Sequence, residues 1–137
     1  MHSPSDAEVN ELFNRATIFV QISTHEGFCL PALEAMATGG AVVCTDAHGN
    51  RDFCTDGENC LMPVAEAGAV ASAITRLLDD RQMRRRLGEA GIATAADYSW
   101  PRRIDALERF MSEVAAPKRI APSTEVVPEA SPARAAN

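Results

Sequence analysis

Residues 23–45, STHEGFCLPALEAMATGGAVVCT, together with the short run Ile18-Phe-Val-Gln-Ile22 ahead of them, restrict this chain more than any other part of it. A brief β-branched and aromatic run bounded by polar residues suits a fully buried parallel strand better than a helix. The run 18–22 is therefore read as a strand, and Ala41–Cys44 as a second. A short helix lies between them, so the three elements make one βαβ unit, which crosses over right-handed. The expected class is α/β: a short parallel sheet of about three strands flanked by helices.

The helix inside that unit has a well-marked stop and an unusual start. Pro31 suits a first helical turn, where its missing N–H costs nothing, and Gly39-Gly40 suit a left-handed stop. Phe28, Cys29 and Leu30 stand where a cap belongs, yet none carries a side-chain oxygen to accept the first free amides. An uncapped helix start behind a glycine-bearing loop, at the carboxyl end of a strand, is a natural anion site. Glu34, about one turn into the helix, is read at the border of an apolar face made by Leu33, Met36 and Ala37. Glu26 stands in the loop. Two carboxylates flanking a place suited to phosphate would grip hydroxyls rather than the phosphate.

The remainder is organised around this unit. Ser5-Asp-Ala-Glu8 has capping-box spacing, and Val9, Leu12, Phe13 and Ala16 recur at helical period, so a helix precedes the first strand. After the second strand, residues 46–51 form another loop at a carboxyl edge, the side on which open parallel sheets bind ligands. Residues 51–54 are read as a single helical turn, 55–59 as a turn and 60–63 as a short third strand ended by Pro63. Two helices follow, with apolar stripes at Val70, Ile74, Leu77 and Leu78, then at Met83, Leu87 and Ala90. Arg81, Arg84, Arg85 and Arg86 read as a solvated face balanced by Asp79, Asp80 and Glu89. Ser99 and Pro101 open a last helix with Trp100, Ile104, Leu107 and Met111 on one side. Residues 115–137, rich in alanine and proline, read as a disordered tail.

Composition narrows the partners. The 137 residues are 46% hydrophobic and 23% charged, as expected of one globular domain, and the net charge of −6 argues against nucleic acid. No apolar run reaches the roughly 18 residues of a membrane helix, and the start of the chain is polar. The expected location is the cytoplasm, with a peripheral position at a membrane as the other place this reading allows. Cys29, Cys44, Cys54 and Cys60 form no C-x2-C pair and read as small buried hydrophobes rather than a zinc site.

Glu26-Gly-Phe-Cys-Leu-Pro-Ala-Leu-Glu34 resembles the E-x7-E signature of retaining glycosyltransferases of the two-domain GT-B fold, in particular family 4. The likeness continues through Glu34-Ala-Met-Ala-Thr-Gly-Gly-Ala-Val-Val, Asp56-Gly-Glu-Asn-Cys-Leu-Met-Pro63, Leu87-Gly-Glu-Ala and Tyr98-Ser-Trp100, collinear over roughly residues 8–113. It implies a partial Rossmann-like, nucleotide-sugar-binding domain over 1–114. It also implies transfer of a hexosyl group from a nucleotide diphosphate sugar to a hydroxyl acceptor with retained configuration.

By the same resemblance Glu26 contacts the donor sugar's hydroxyls and stabilises charge developing at its anomeric carbon, as the catalytic residue. The backbone around Gly27, Phe28, Cys29 and Leu30 meets sugar and diphosphate, and Glu34 holds the ribose hydroxyls. No metal or other cofactor is implied. Cys29 replaces the glycine more usual at its position. The family's basic pair for the diphosphate finds no match ahead of Glu26, where Arg15 is the only arginine or lysine.

The acceptor domain is expected either as an absent N-terminal part or as a separate partner chain. This polypeptide alone is accordingly expected to be inactive: a fragment, a truncated product or half of a split enzyme. Pairing of two copies through an exposed sheet edge is a further expectation. A non-catalytic interaction subunit that docks on an acceptor-domain partner is the alternative from another class. A flavodoxin-like signalling domain is disfavoured by the lack of an acidic cluster near the first strand. His25 and His48 read as surface groups before they read as general bases.

Overall fold

A computed structural model describes residues 3–115 and forms the βαβ unit in the expected place. The element order is α1 (Asp6–Arg15), β1 (Ile18–Gln21), α2 (Leu30–Ala37), β2 (Ala41–Cys44), β3 (Cys60–Leu61), α3 (Ala67–Asp79), α4 (Arg81–Asp97) and α5 (Trp100–Ala115). The sheet is wholly parallel in the order β1-β2-β3, with Ile18 beside Ala41 and Val42 beside Cys60. Apart from Ala115, which ends α5, the tail read at 115–137 lies outside the described residues. No helix among the described residues is long and apolar enough to cross a membrane.

The central strand carries the core because both of its faces are covered. Val42 and Cys44 pack with Ala32, Leu33 and Met36 of α2 and with Phe53, while Ala41 and Val43 pack with Leu61, Leu77 and Leu87. This is the two-residue alternation of a strand serving two buried layers. Met36, Leu77 and Leu87 are fully buried, and each such side chain contributes about 1.5–3 kcal/mol. Helix α4 reaches both layers, through Met83 and Leu87 on one side and Ala95 on the other. Its Gly88 and Gly91 let it lie directly on the end of α2, against the Gly39 carbonyl and Met36.

The helix ends follow the sequence signals. Ser5 and Glu8 close a full capping box on α1, and Asp80 accepts from the Met83 amide to start α4. Helix α2 ends in a Schellman turn: Gly39, at φ 78°, donates to the Met36 carbonyl and Gly40 to that of Ala35, each at 3.0 Å. A side chain at Gly39 would be strained by that left-handed backbone.

Several expectations are corrected. Strand β1 is an edge strand rather than a fully buried one, with Val20 half-exposed and Ile22 outside it and exposed, because no described strand covers its outer side. On α2 the buried residues are Ala32, Leu33, Ala35 and Met36; Ala37 faces outward with Glu34, since the sheet covers the face about one residue around from the one expected. Leu78 is likewise exposed, leaving Val70 and Leu77 as the buried residues of α3. The single helical turn read at 51–54 is present as consecutive turns closed by the Cys54 N–H to the Asn50 carbonyl at 2.8 Å, a bond of helical spacing that goes no further. The third strand spans only Cys60–Leu61.

Of the arginines on α4, Arg85 pairs with Glu89 at 2.7 Å, and Arg84 reaches back to the Leu77 and Leu78 carbonyls that end α3. Arg81, Arg85 and Arg86 are exposed, as the solvated-face reading has it, but Arg84 is half-buried. Arg86 donates to the Gly57 carbonyl and Asp80 caps α4, so among the described residues only Glu89 pairs with an arginine of this group. Helix α5 has no buried residue, so its apolar side, Trp100, Ile104, Leu107 and Met111, faces outward.

Candidate functional site

Two loops leave the carboxyl edge of the sheet side by side: 22–29 after β1 and 45–54 after β2. They are stitched backbone to backbone, with the Glu26 amide donating to the Ala47 carbonyl at 2.9 Å and Glu26 bridging to His48. Gly49 makes this approach possible. A Cβ there would fall 2.5 Å from the Glu26 carbonyl oxygen and 2.6 Å from the carbonyl carbon and oxygen of Gly27. The sequence reading did not select Gly49, because the need for glycine arises from a loop more than twenty positions away. The ring of His25 stacks on that of His48 across the seam, 5.0 Å between centroids, and both side chains are exposed. The pair closes the loops together.

Glu26 is half-buried and held from its own side of the seam. Its Oε1 accepts from the Ser23 hydroxyl at 2.7 Å and from Gln21 Nε2 at 3.0 Å. Oε2 accepts nothing among the described residues. Gln21 Oε1 is buried with no hydrogen-bond partner among them. Ser23 and Gln21 are thus supporting residues the sequence reading missed. Each lies within five residues of Glu26, so the signal was local, but a polar residue at a strand end is too common to stand out.

The start of α2 is uncapped, as expected. Cys29 occupies the N-cap with no side-chain hydrogen bond, and Gly27, Leu30 and Pro31 around it are exposed. Cys29 itself is buried and left-handed, at φ 71° and ψ 47°. An L residue there costs roughly 1–2 kcal/mol, a physical reason for glycine at this position. Burial, and then the neighbouring Cys44 and Glu26, push the Cys29 thiol up, so it stays neutral. The Phe28 ring turns into an aromatic group with Phe53 and Tyr98, centroids 5.4 and 5.8 Å away. Tyr98 donates to the Asp52 carbonyl at 2.7 Å and lies under the Arg103 guanidinium. The tip of α2 is therefore braced against the 45–54 loop and the start of α5.

Glu34 lies on the exposed flank of α2, not beside Glu26 in one cavity. It lines a groove of about 310 Å³ between α1 and α2, with Asp6, Val9, Asn10, Phe13, Ala37 and Thr38. As the fifth residue of the helix, it stands about 6 Å along the axis from the first. A ligand touching both carboxylates would have to run from the loop seam past the helix tip into this groove. Such a ligand is elongated, with an anionic middle and hydroxyl-bearing ends.

The second loop is held by buried amides. Asn50 accepts from the Ala47 amide at 3.0 Å and donates to the Thr45 carbonyl at 2.8 Å; Asn59 accepts from the Thr55 amide and donates to the Phe53 carbonyl. At the rim, Arg51 makes two 2.7 Å hydrogen bonds to Asp46. These, with the His48 amide, hold the Asp46 carboxyl down at about 2.

Residues 1–94 match the family model described as glycosyl transferases group 1. The D-inositol 3-phosphate glycosyltransferase of Corynebacterium efficiens is 32% identical over 107 residues, 77% of this chain and 25% of that protein. The chain spans about a quarter of the length of the curated relatives it matches. Among solved structures, the C-terminal domain of a group 1 glycosyl transferase, LpcC from Francisella tularensis, is 28% identical with a TM-score of 0.64, over 70% of this chain and 50% of that one. Anabaena HepE, solved in complex with UDP, superposes with a TM-score of 0.68 at 22% identity, over 77% of this chain and 30% of that one. The parallel sheet with its flanking helices is that of GT-B C-terminal domains, and the chain belongs to the group 1 glycosyl transferases.

Proposed function

We propose that this chain is the donor-binding part of a retaining glycosyltransferase of the family 4 type, which transfers a hexosyl group from a nucleotide diphosphate sugar to a hydroxyl acceptor. The carrying observation is the exposed, uncapped start of α2, set between the half-buried Glu26 carboxylate and the groove that holds Glu34. Pro31 has no N–H and the Ala32 amide donates to the Cys29 carbonyl at 3.1 Å, so the backbone amides of 27–30, with the helix dipole, are the groups that favour the diphosphate there. Glu26, oriented by Ser23 and Gln21, contacts the sugar and stabilises positive charge growing at its anomeric carbon. The backbone at Gly27, Phe28, Cys29 and Leu30 meets the sugar and diphosphate, and Glu34 accepts from the ribose hydroxyls. The UDP bound in the HepE structure supports a nucleotide sugar as donor. No metal or other cofactor takes part in this reading.

In this reading residues 1–114 supply one wall of the reaction cleft, and the acceptor wall comes from a second domain, in the same polypeptide or on a separate partner chain. Turnover is then expected only when that second domain is supplied. The test is saturation-transfer NMR of this chain against a panel of nucleoside diphosphates and nucleotide sugars. Binding of one nucleotide class, lost in Glu34→Ala, supports the reading; absence of nucleotide binding together with tight capture of an acceptor-domain partner refutes it. The second outcome is the interaction-subunit reading, favoured by the outward apolar side of α5. Self-association of the chain is checked by its sedimentation over a concentration series, and pairing through the β1 edge by its loss in Val20→Pro.

A further inference from the structure

Three of the four cysteines meet in the core from three neighbouring segments: Cys44 ends β2, Cys54 closes the turns after it and Cys60 begins β3. Their Sγ atoms all lie within 4.8 Å of one another, with Cys44 and Cys54 at 3.6 Å, and all three residues are buried. We propose that Cys44, Cys54 and Cys60 form a three-sulfur site for one soft, thiophilic metal ion of low coordination number, monovalent copper being the matching probe.

The donor set selects the ion. Among the described residues the group contains no histidine or carboxylate, so it offers sulfur alone, which soft ions prefer. Structural zinc takes four ligands, and no fourth cysteine joins the cluster. Three sulfurs about 2.3 Å from a central ion in a plane sit about 4.0 Å apart, a spacing between the closest pair and the outer limit of this trio. Asn50 Nδ2, at 3.5 Å from Cys44 Sγ, is a donor that favours a charged sulfur there. On binding, metal–sulfur bonds form, ligating thiols release their protons to bulk water, and no oxidation state changes. The ion would tie β2, the turn and β3 together directly beneath the 45–54 loop.

The test uses the reduced chain under anaerobic conditions, titrated with monovalent copper against a chromophoric copper chelator. Expected are one equivalent taken from the chelator, a first shell of three sulfurs by X-ray absorption, and a higher melting temperature. Cys54→Ala and Cys60→Ala each weaken uptake by at least about tenfold, whereas Cys29→Gly, outside the trio, retains it. No uptake by the wild-type chain, oxygen or nitrogen in the first shell, or a folded Cys54→Ala chain that binds like wild type each overturns the site. The wild-type titration and its spectrum decide the matter even where a variant does not fold.

Discussion

Gly49→Ala tests the seam on which the candidate site is built. The added Cβ would stand 2.5 Å from the Glu26 carbonyl oxygen and 2.6 Å from two Gly27 backbone atoms. Ordinary carbon contacts are about 3.5–4.0 Å, so the loops must part by about 1 Å. All the opposing atoms are backbone, and no side chain can swing aside. That movement takes the 2.9 Å bond from the Glu26 amide to Ala47 beyond hydrogen-bond length. Overpacking costs about 1–3 kcal/mol and the lost bond about 1. Gly49 is not left-handed, so alanine recovers about 0.4–1 kcal/mol through the unfolded chain. The net expectation is a loss of about 1–3 kcal/mol, read as a lower urea midpoint at unchanged slope. Since Glu26 moves with its loop, the nucleotide-sugar binding proposed for this site should weaken by about tenfold or more, because misplacement of about 1 Å is costly in a positioned site. Stability within about 0.5 kcal/mol of wild type, with unchanged binding, would refute the reasoning.

Further outcomes follow from the same contacts. Asn59→Ala removes an acceptor for the Thr55 amide and a donor to Phe53 and Thr94, so urea unfolding should register a loss of about 2–3 kcal/mol; a loss under about 1 would mean water replaces the amide. Cys29→Gly relieves about 1–2 kcal/mol of left-handed strain but loses a buried thiol and gains unfolded-state entropy, and should melt near wild type. Cys29→Ala keeps the strain and loses the sulfur; if it melts above Cys29→Gly, the backbone argument fails. Asp46 is held near 2, first by the Arg51 hydrogen bonds, against about 3.9 in an unfolded chain. A depressed carboxyl stabilises the fold above the unfolded value, and that contribution fades as pH falls from about 4 through about 2. A carbon-detected NMR titration of Asp46 should show the low midpoint, which Arg51→Ala should return toward 3.9.

What the sequence made legible was what neighbours along the chain decide. The capping box at Ser5, the glycine stop at 39–40 and the empty cap at Cys29 each depend on residues within a few positions, and all three are present in the fold. The burial of β1 was misread because its composition reports suitability for a sheet and not the number of neighbours the strand has. The same limit moved the buried face of α2 away from Ala37: the helical period fixes which residues share a face, while the direction of the sheet fixes which face is covered.

The site divides along the same line. Glu26, Gly27 and the helix tip stand out as candidates because they are contiguous, but the loops that carry them are held by Gly49, Asn50 and Tyr98, which lie on other elements. Cys29 joins the two levels. It is a left-handed residue whose side chain is buried, so backbone strain at the mouth of the site is offset by packing beneath it. A glycine there would leave the α2 tip unstrained but unanchored from below, whereas the cysteine fixes it to the layer that also holds Phe53 and Cys44. If that anchoring matters for binding, Cys29→Gly should keep its stability yet bind nucleotide sugar differently from wild type. A change in melting temperature with unchanged binding would instead assign Cys29 to the core alone.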